Sequence, residues 1–316
     1  MARIVLGLAA SHSPQVSVPW TEWHLLREKD ETDPRLDYPA LLRRARPGLE
    51  EELTPAKWQE RYAACQQAVA TLGQVLREAA PDVIVVLGDD QHEQFLDDNL
   101  PAVAIYHGRS IPVRRPAEAR GWKAAEAAHW AETAEAYPAA PELAEYLIEA
   151  LTLEEFDVAR SNRLREEVGI GHAFSFLYRR LWPDTTVPVV PIMLNTYYPP
   201  NQPTPKRCYA LGRALRRALE AWDGDTRVAV MASGGLSHVI LDEALDRVTL
   251  EALQQKDAAR LCALPRAKLR GGTSEILSWV ALAGATEPMA MTLLTYTPGY
   301  RSPAATGCGM AFAYWQ

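Results

Sequence analysis

Pro81-Asp82-Val83-Ile84-Val85-Val86-Leu87-Gly88-Asp89-Asp90-Gln91-His92-Glu93-Gln94-Phe95 is the stretch on which the fold turns. Val83 to Leu87 are five apolar, mostly β-branched residues between a proline and a glycine. Such a run reads as a strand buried on both faces of a sheet. Past Gly88 the chain releases two acids, an amide, an imidazole and a third acid within five residues. In open α/β sheets ligands gather beyond the carboxyl ends of strands, so Asp89–Glu93 is a candidate metal or acid–base site. Taken alone, Asp89 and Asp90 read equally well as caps of a turn.

The rest of the chain supplies the sheet and its cover. Arg3 to Ala9 reads as a first core strand, which fits the N-terminus better than a signal peptide does. It leads into Ser11-His12-Ser13-Pro14, and Pro14 holds His12 in extended chain at the strand's end. Residues 15–52 read as a polar, irregular surface excursion, with Trp20 and Trp23 near His24. Thr54-Pro55 starts a helix that runs to about Ala79 with Tyr62, Cys65, Val69, Leu72 and Leu76 on one face. A short strand is expected over Ala102–Tyr106. Residues 111–139 read as an insertion containing Trp122, His129 and Trp130. A helix over Pro141–Leu151 and a strand over Phe156–Ala159 follow.

Val168-Gly169-Ile170-Gly171-His172 is a glycine-rich entry to a short helix. Val187–Leu194 is an apolar strand, limited in its ladder by Pro188 and Pro191. The helix expected over Arg207–Trp222 leads to a strand over Arg227–Met231. That strand opens into Ala232-Ser233-Gly234-Gly235-Leu236-Ser237-His238. Leu241–Leu264 reads as helical. Gly271-Gly272-Thr273-Ser274-Glu275 starts another helix, with Thr273 or Ser274 as its cap and Glu275 in its first turn. Met291–Thr297 and Met310–Trp315 close the chain as strands. There is no repeat and no flexible linker, so the expectation is α/β, a single domain over residues 1–316, with a mixed β-sheet flanked by helices.

Composition removes several function classes. The chain has 316 residues, 48% hydrophobic and 23% charged, with a formal net charge of −7 and a pI near 5.6. That balance speaks against nucleic acid or an acidic membrane surface as partner, and no apolar run approaches the roughly 20 residues of a membrane span. Cys65, Cys208, Cys262 and Cys308 are scattered and form no CxxC. They read as reduced thiols of a cytoplasmic protein. There is no HExxH and no GxSxG, so neither a zincin nor a hydrolase elbow is supported.

His12, the Asp89–Glu93 group, His172 and His238 each follow a strand-like segment, and Glu275 adds a carboxylate. Two imidazoles and one carboxylate on a face of a metal form the triad of non-haem Fe(II) oxygenases, with positions left open. Further histidines can then move protons.

On these residues the chain resembles the type III extradiol ring-cleavage dioxygenases. The resemblance rests on Ser11-His12-Ser13-Pro14, the strand ending in acids, Gly171-His172, the Ser233-Gly234-Gly235-Leu236-Ser237-His238 run and the Gly271–Glu275 helix start. The segments Asn195–Cys208 and Tyr300-Arg301-Ser302 are most similar to the gallate and 3-O-methylgallate branch. The resemblance implies Fe(II), held by His12 and Glu275. It implies that His238 takes a proton from a substrate hydroxyl and that His172 returns one during ring opening. The second iron histidine is where this chain departs. By register the position falls on Gln91, which would bind through its amide oxygen. By ligand chemistry His92, one residue later, is the better donor, and Glu93 is a further alternative.

The implied substrate is a small aromatic diol or triol of the protocatechuate, gallate or methylgallate type, cleaved with O2 in aromatic catabolism. Tyr197, Tyr198 and Arg301 are the candidate groups for a carboxylate on the ring, and a homo-oligomer is expected. Two rival readings remain open: a metal-poor binding or redox-signalling homologue, and a metal-dependent hydrolase using Asp89, Asp90 and His92.

Overall fold

The computed structural model describes residues 1–113, 120–128 and 136–316. Its strands, in chain order, are β1 (Arg3–Ala10), β2 (Val83–Asp89), β3 (Val103–Tyr106), β4 (Ser110–Pro112), β5 (Ala136–Pro138), β6 (Ala159–Ser161), β7 (Val189–Leu194), β8 (Arg227–Ser233), β9 (His238–Ile240), β10 (Met291–Tyr300) and β11 (Thr306–Trp315). Nine of them form one sheet in the order β10-β11-β1-β8-β2-β7-β3-β6, with β9 added to β11; β4 and β5 pair separately. The central strands β1, β8, β2 and β7 are parallel. The flanks bring in antiparallel pairs at β11 with β1 and β10, and at β3 with β7. The sheet is therefore mixed, as expected.

Every residue of β2 is buried. Val83, Val85 and Leu87 face a core built with the helices Pro141–Leu153, Pro205–Ala221 and Ile276–Ala285. Ile84 and Val86 face the opposite core, made with the helix Pro55–Ala79 and the turn that follows His172. Each such side chain contributes roughly 1.5–3 kcal/mol relative to exposure. This two-sided burial is why the strand reads as an unbroken apolar run and not as an alternation. Pro191 is tolerated inside β7 because the β3 ladder ends at the Ile105–Ile192 pair, so its missing N–H has no partner to lose. The helices Pro205–Ala221 and Ile276–Ala285 touch backbone to backbone. A Cβ on Gly212 would lie 1.8 Å from the Ala281 carbonyl oxygen, and one on Gly284 would lie 2.2 Å from that of Tyr209. That contact fixes the helix at whose start Glu275 stands.

Several expectations shift. Residues 15–52 are not irregular: they fold into helices at Trp23–Thr32 and Tyr38–Arg44 and shorter turns, because Trp23 and Leu26 supply a buried anchor. The strand expected at Phe156–Ala159 lies at Ala159–Ser161, and Phe156 is spent in the core. The helix expected over Leu241–Leu264 is two, Glu243–Gln254 and Ala258–Cys262, each capped by an aspartate. Within 111–139 the described residues form β4, β5 and a short helix at Trp122–Ala127. His129 and Trp130 lie outside the described residues. No helix among the described residues is long and apolar enough to cross a membrane.

Candidate active site

The parallel strands deliver their carboxyl ends to one end of the sheet. Ala10 of β1 is in register with Ser233 of β8, which brings the next turn of each chain together. His12 Nδ1 lies 3.1 Å from Ser233 Oγ, and the Ser233 hydroxyl itself donates to the Ala173 carbonyl. With that proton committed, Ser233 accepts, so His12 carries its proton on Nδ1. This leaves Nε2 with a lone pair able to meet a cation, 3.4 Å from Glu275 Oε2.

Glu275 is 1% exposed. Its Oε2 accepts the Gly235 N–H at 2.7 Å, and its Oε1 is 3.0 Å from His238 Nε2. Burial alone would raise its pKa, but the neighbouring imidazoles of His238 and His12 outweigh that and hold the carboxyl well below the usual range. Thr273 was expected as a helix cap. It instead clamps His238, accepting its backbone N–H at 3.0 Å and donating to its carbonyl at 2.7 Å. Ser274 donates to the Gly271 carbonyl, closing the turn. His238 Nδ1 bonds the Leu236 carbonyl at 2.8 Å, which fixes its ring. Burial disfavours its charged form, and Glu275 overrides this and raises its pKa well above the ordinary value.

His172 starts its helix behind Gly171. Its Nδ1 lies 2.8 Å from Glu93 Oε1, and its backbone N–H donates to the same oxygen at 2.9 Å. Its ring stands edge-on to His12, centroids 4.7 Å apart. Burial lowers its pKa and the Glu93 carboxylate raises it; the net position is about 10.

Asp89, at the end of β2, is fully buried. Its Oδ2 accepts from the Gln91 amide at 2.9 Å, and its Oδ1 has no hydrogen-bond partner among the described residues. Burial first, then the Glu275 charge, raises its pKa. Donor atoms of His12, Asp89 and His172 all lie within 4.8 Å of one another, a group able to hold a metal ion.

The expected alternatives for the second ligand do not enter this group as foreseen. The Gln91 amide nitrogen, not its oxygen, is turned inward, bridging Asp89 and Glu275 (3.4 Å). His92 is turned away. It sits at φ +60, stacks on Tyr198 with centroids 3.7 Å apart, and places Nε2 3.3 Å from Asp97. The left-handed residue swings the chain outward, and Asp90 closes the loop by accepting the Gln94 and Phe95 N–H groups. Glu93 faces His172.

A cavity of about 940 Å³ opens on His238, with Tyr197, Arg270, Gly272 and Thr273 among its walls. A second, of about 480 Å³, shares Tyr197, Arg270 and Gly271 with it. Of the residues expected to bind substrate, Tyr197 lines both. Tyr198 is occupied with His92. Arg301 lines neither: it is buried and bidentate on Asp30, at 2.9 and 3.0 Å. The sequence offered no sign of that pair, which is 271 residues apart.

A family model, "Catalytic LigB subunit of aromatic ring-opening dioxygenase", matches residues 50–307. Among curated proteins the chain is 30% identical over 177 residues to 2,3-dihydroxyphenylpropionate/2,3-dihydroxicinnamic acid 1,2-dioxygenase of Comamonas testosteroni, covering 55% of this chain and 49% of that protein. It is 35% identical over 114 residues to gallate dioxygenase of Pseudomonas putida, covering 33% of this chain and 32% of that one. The chain spans about half the length, or less, of the curated relatives it matches.

Proposed function

The chain belongs to the family of the catalytic LigB subunit of aromatic ring-opening dioxygenases, and on that premise we propose that it is an extradiol dioxygenase. In this reading it is a non-haem Fe(II) enzyme that opens a catechol-type ring with O2 beside one hydroxyl-bearing carbon. One observation carries the proposal. His12, Asp89 and Glu275 converge in a buried site between His172 and His238, and each of those two rings is pinned through Nδ1.

The residues fit a divalent metal. An unpartnered carboxylate oxygen on Asp89, fully buried, is costly unless a cation meets it. A buried imidazole nitrogen with carboxylates is a donor set for a first-row divalent ion. His12 and Glu275 would hold the ion, with one donor from the Asp89–Glu93 turn. When bound, the ion supplies Lewis acidity that lowers the pKa of a phenolic hydroxyl, and a redox bridge between ring and O2.

The protein's own residues then move the protons. His238 keeps its Nδ1 proton on Leu236, so Nε2 is its exchanging position. That nitrogen stands between the cavity and Glu275; with Glu275 engaged as a ligand it would lose the carboxylate that raises its pKa, and could take a hydroxyl proton from a ring entering from the cavity. His172 keeps its Nδ1 proton on Glu93 and presents Nε2 as the acid for ring opening. Burial of His12, Asp89 and Glu275 excludes water from the reacting atoms.

The cavity rim supports an anionic ring substituent. Arg35, Arg46 and Lys268 are matched by Asp33, Glu243 and Asp242. Arg247 and Arg270 also line the cavity, and neither side chain has a hydrogen bond or ion pair among the described residues. Arg270, on the wall common to both cavities, replaces Arg301 as the carboxylate-binding group of a protocatechuate- or gallate-like substrate. Four unpaired cysteines support a reducing, cytoplasmic setting. A homo-oligomer belongs to the same reading, and β10, at the edge of the sheet, is a strand through which copies could pair.

The test is anaerobic reconstitution with Fe(II), then O2 uptake with catechol, protocatechuate, gallate and 3-O-methylgallate. O2 consumption with a new yellow ring-opened chromophore is expected for the carboxylated rings. No uptake across the panel by iron-loaded protein would overturn the reading and leave a binding protein on this scaffold.

A further inference from the structure

We propose that Asp89 is the third protein ligand to the metal, giving this chain a centre of one imidazole and two carboxylates in place of two imidazoles and one carboxylate. The inference rests on the reading of the site as a metal centre and names the donor that reading leaves open.

Three observations single out Asp89. It is fully buried, and its Oδ1 has no partner among the described residues. A bare carboxyl oxygen in the interior carries a desolvation cost, seen here as the raised pKa of Asp89, and a cation is one way to meet it. It is also the carboxylate that lies within 4.8 Å of ring nitrogens of both His12 and His172. Finally, Asp89 Oδ2 and Glu275 Oε1 share one amide nitrogen, Gln91 Nε2, at 2.9 and 3.4 Å. An NH2 group donates and cannot accept, so between two carboxylates the amide must present its nitrogen. Gln91 is thereby a clamp that holds both carboxylates toward one point. It is not a ligand through its oxygen.

Two competing donors also carry an unpartnered atom, His92 Nε2 and Glu93 Oε2, but neither residue belongs to the group that Asp89 forms with His12 and His172. His92 stacks on Tyr198 and faces Asp97. Glu93 Oε1 carries two hydrogen bonds from His172. Asp90 carries the Gln94 and Phe95 N–H groups. Asp89 also has the right anchorage, since it is the last residue of a strand buried on both faces and hydrogen-bonded to both neighbours. A ligand so placed is held more rigidly than one on the loop beyond.

The chemical consequence is a harder donor set. Two carboxylates neutralise a divalent ion formally, and oxygen donors suit Mn(II) relative to Zn(II) more than a two-imidazole set does. The experiment is Mn(II) titration of the full chain, read by calorimetry and by the electron paramagnetic resonance signal of bound against free ion, with no turnover required. Wild type is compared with Asp89→Asn, Gln91→Ala and His92→Ala. Asp89→Asn should weaken Mn(II) binding beyond the roughly 10–100-fold that loss of an outer-shell partner costs. Gln91→Ala should fall within that range, and His92→Ala should bind as wild type.

Wild-type affinity in Asp89→Asn, or loss of binding in His92→Ala, would overturn the proposal. The apo melting temperature checks the fold. Asp89→Asn removes a buried charge at constant shape, so the metal-free variant should melt no lower than wild type. If it does melt lower, Asp89→His carries the test, and its Zn(II) over Mn(II) preference should rise; an unchanged preference overturns the proposal. Wild type that binds Mn(II) through Asp89, yet whose Fe(II) form consumes no O2 with any catechol, would sink the dioxygenase reading and leave this one standing.

Discussion

Glu93 Oε1 accepts two hydrogen bonds from the same residue, the Nδ1–H of His172 at 2.8 Å and its backbone N–H at 2.9 Å. One oxygen thereby fixes both the start of the helix and the rotation of the ring upon it, which stands edge-on to His12. Glu93→Ala should lower kcat by about 10–100-fold, part of the 10²–10⁴ that a well-placed general acid supplies, with KM for the catechol little changed. Glu93→Gln retains an acceptor oxygen and should recover most of that loss. Steady-state kinetics on both variants check this. An equal fall in kcat for Gln and Ala would show that the charge, and not the orientation, is what matters.

A methyl group at Gly272 is the sharpest steric test of His238. A Cβ there would stand 2.0 Å from His238 Cδ2 and 2.3 Å from its Nε2, while Thr273 keeps the His238 backbone in place. The ring cannot stay where it is. On the dioxygenase reading, Gly272→Ala should therefore fold, retain metal binding, and lose at least about 100-fold in kcat/KM through the displaced ring. Wild-type turnover in a folded Gly272→Ala protein would remove His238 from the mechanism.

The parts of this molecule that could be read from sequence are those whose cause is local. Val83–Leu87 announces a strand buried on both faces, and Thr54-Pro55 announces its helix, which begins there as expected. His12, His172, His238 and Glu275 were all legible because each follows a strand end or a glycine-marked turn. Asp89 was in view as well, but it was indistinguishable from a turn cap until its Oδ1 was seen to lack a partner. His92 is expected on its ligand chemistry, and the single positive φ that turns it toward Tyr198 is not visible in a sequence. Arg301 is placed away from the cavities for a different reason. Its carboxylate partner, Asp30, comes from the other end of the chain, on a helix in a stretch whose polar sequence reads as irregular excursion.

That Arg301–Asp30 pair carries its own prediction. Both side chains are buried and the contact is bidentate, so Arg301→Met strands an aspartate. Breaking a buried pair from one side costs roughly 3–5 kcal/mol, and urea unfolding should show a loss of that order. The activity of the protein that remains folded should stay near wild type, because Arg301 lines neither cavity. Asp30→Leu combined with Arg301→Met should recover much of the stability. A rise in KM for carboxylated substrates without a stability loss would restore Arg301 to a substrate-binding role.

Asp246 sets a pH dependence away from the metal site. Its carboxylate accepts the Ser237 N–H and hydroxyl at 2.8 and 2.7 Å and the Tyr296 hydroxyl at 2.7 Å, so it braces the residue next to His238. Burial pushes its carboxyl up, and the bonds from Ser237 and Tyr296 only partly offset that. A carboxyl whose folded pKa exceeds its unfolded one, near 3.9, contributes most below the unfolded value. That contribution is lost as the pH rises through the folded value. Asp246→Asn cannot ionise and keeps an acceptor oxygen for the Ser237 N–H, while both hydroxyls can turn to accept from its amide. Its stability relative to wild type should therefore climb as the pH is raised from about 4 to about 8, read as urea midpoints at each pH. A difference that stays flat or shrinks over that window would mean that the hydrogen bonds to the charged form win over burial, and that Asp246 holds the His238 turn as an anion.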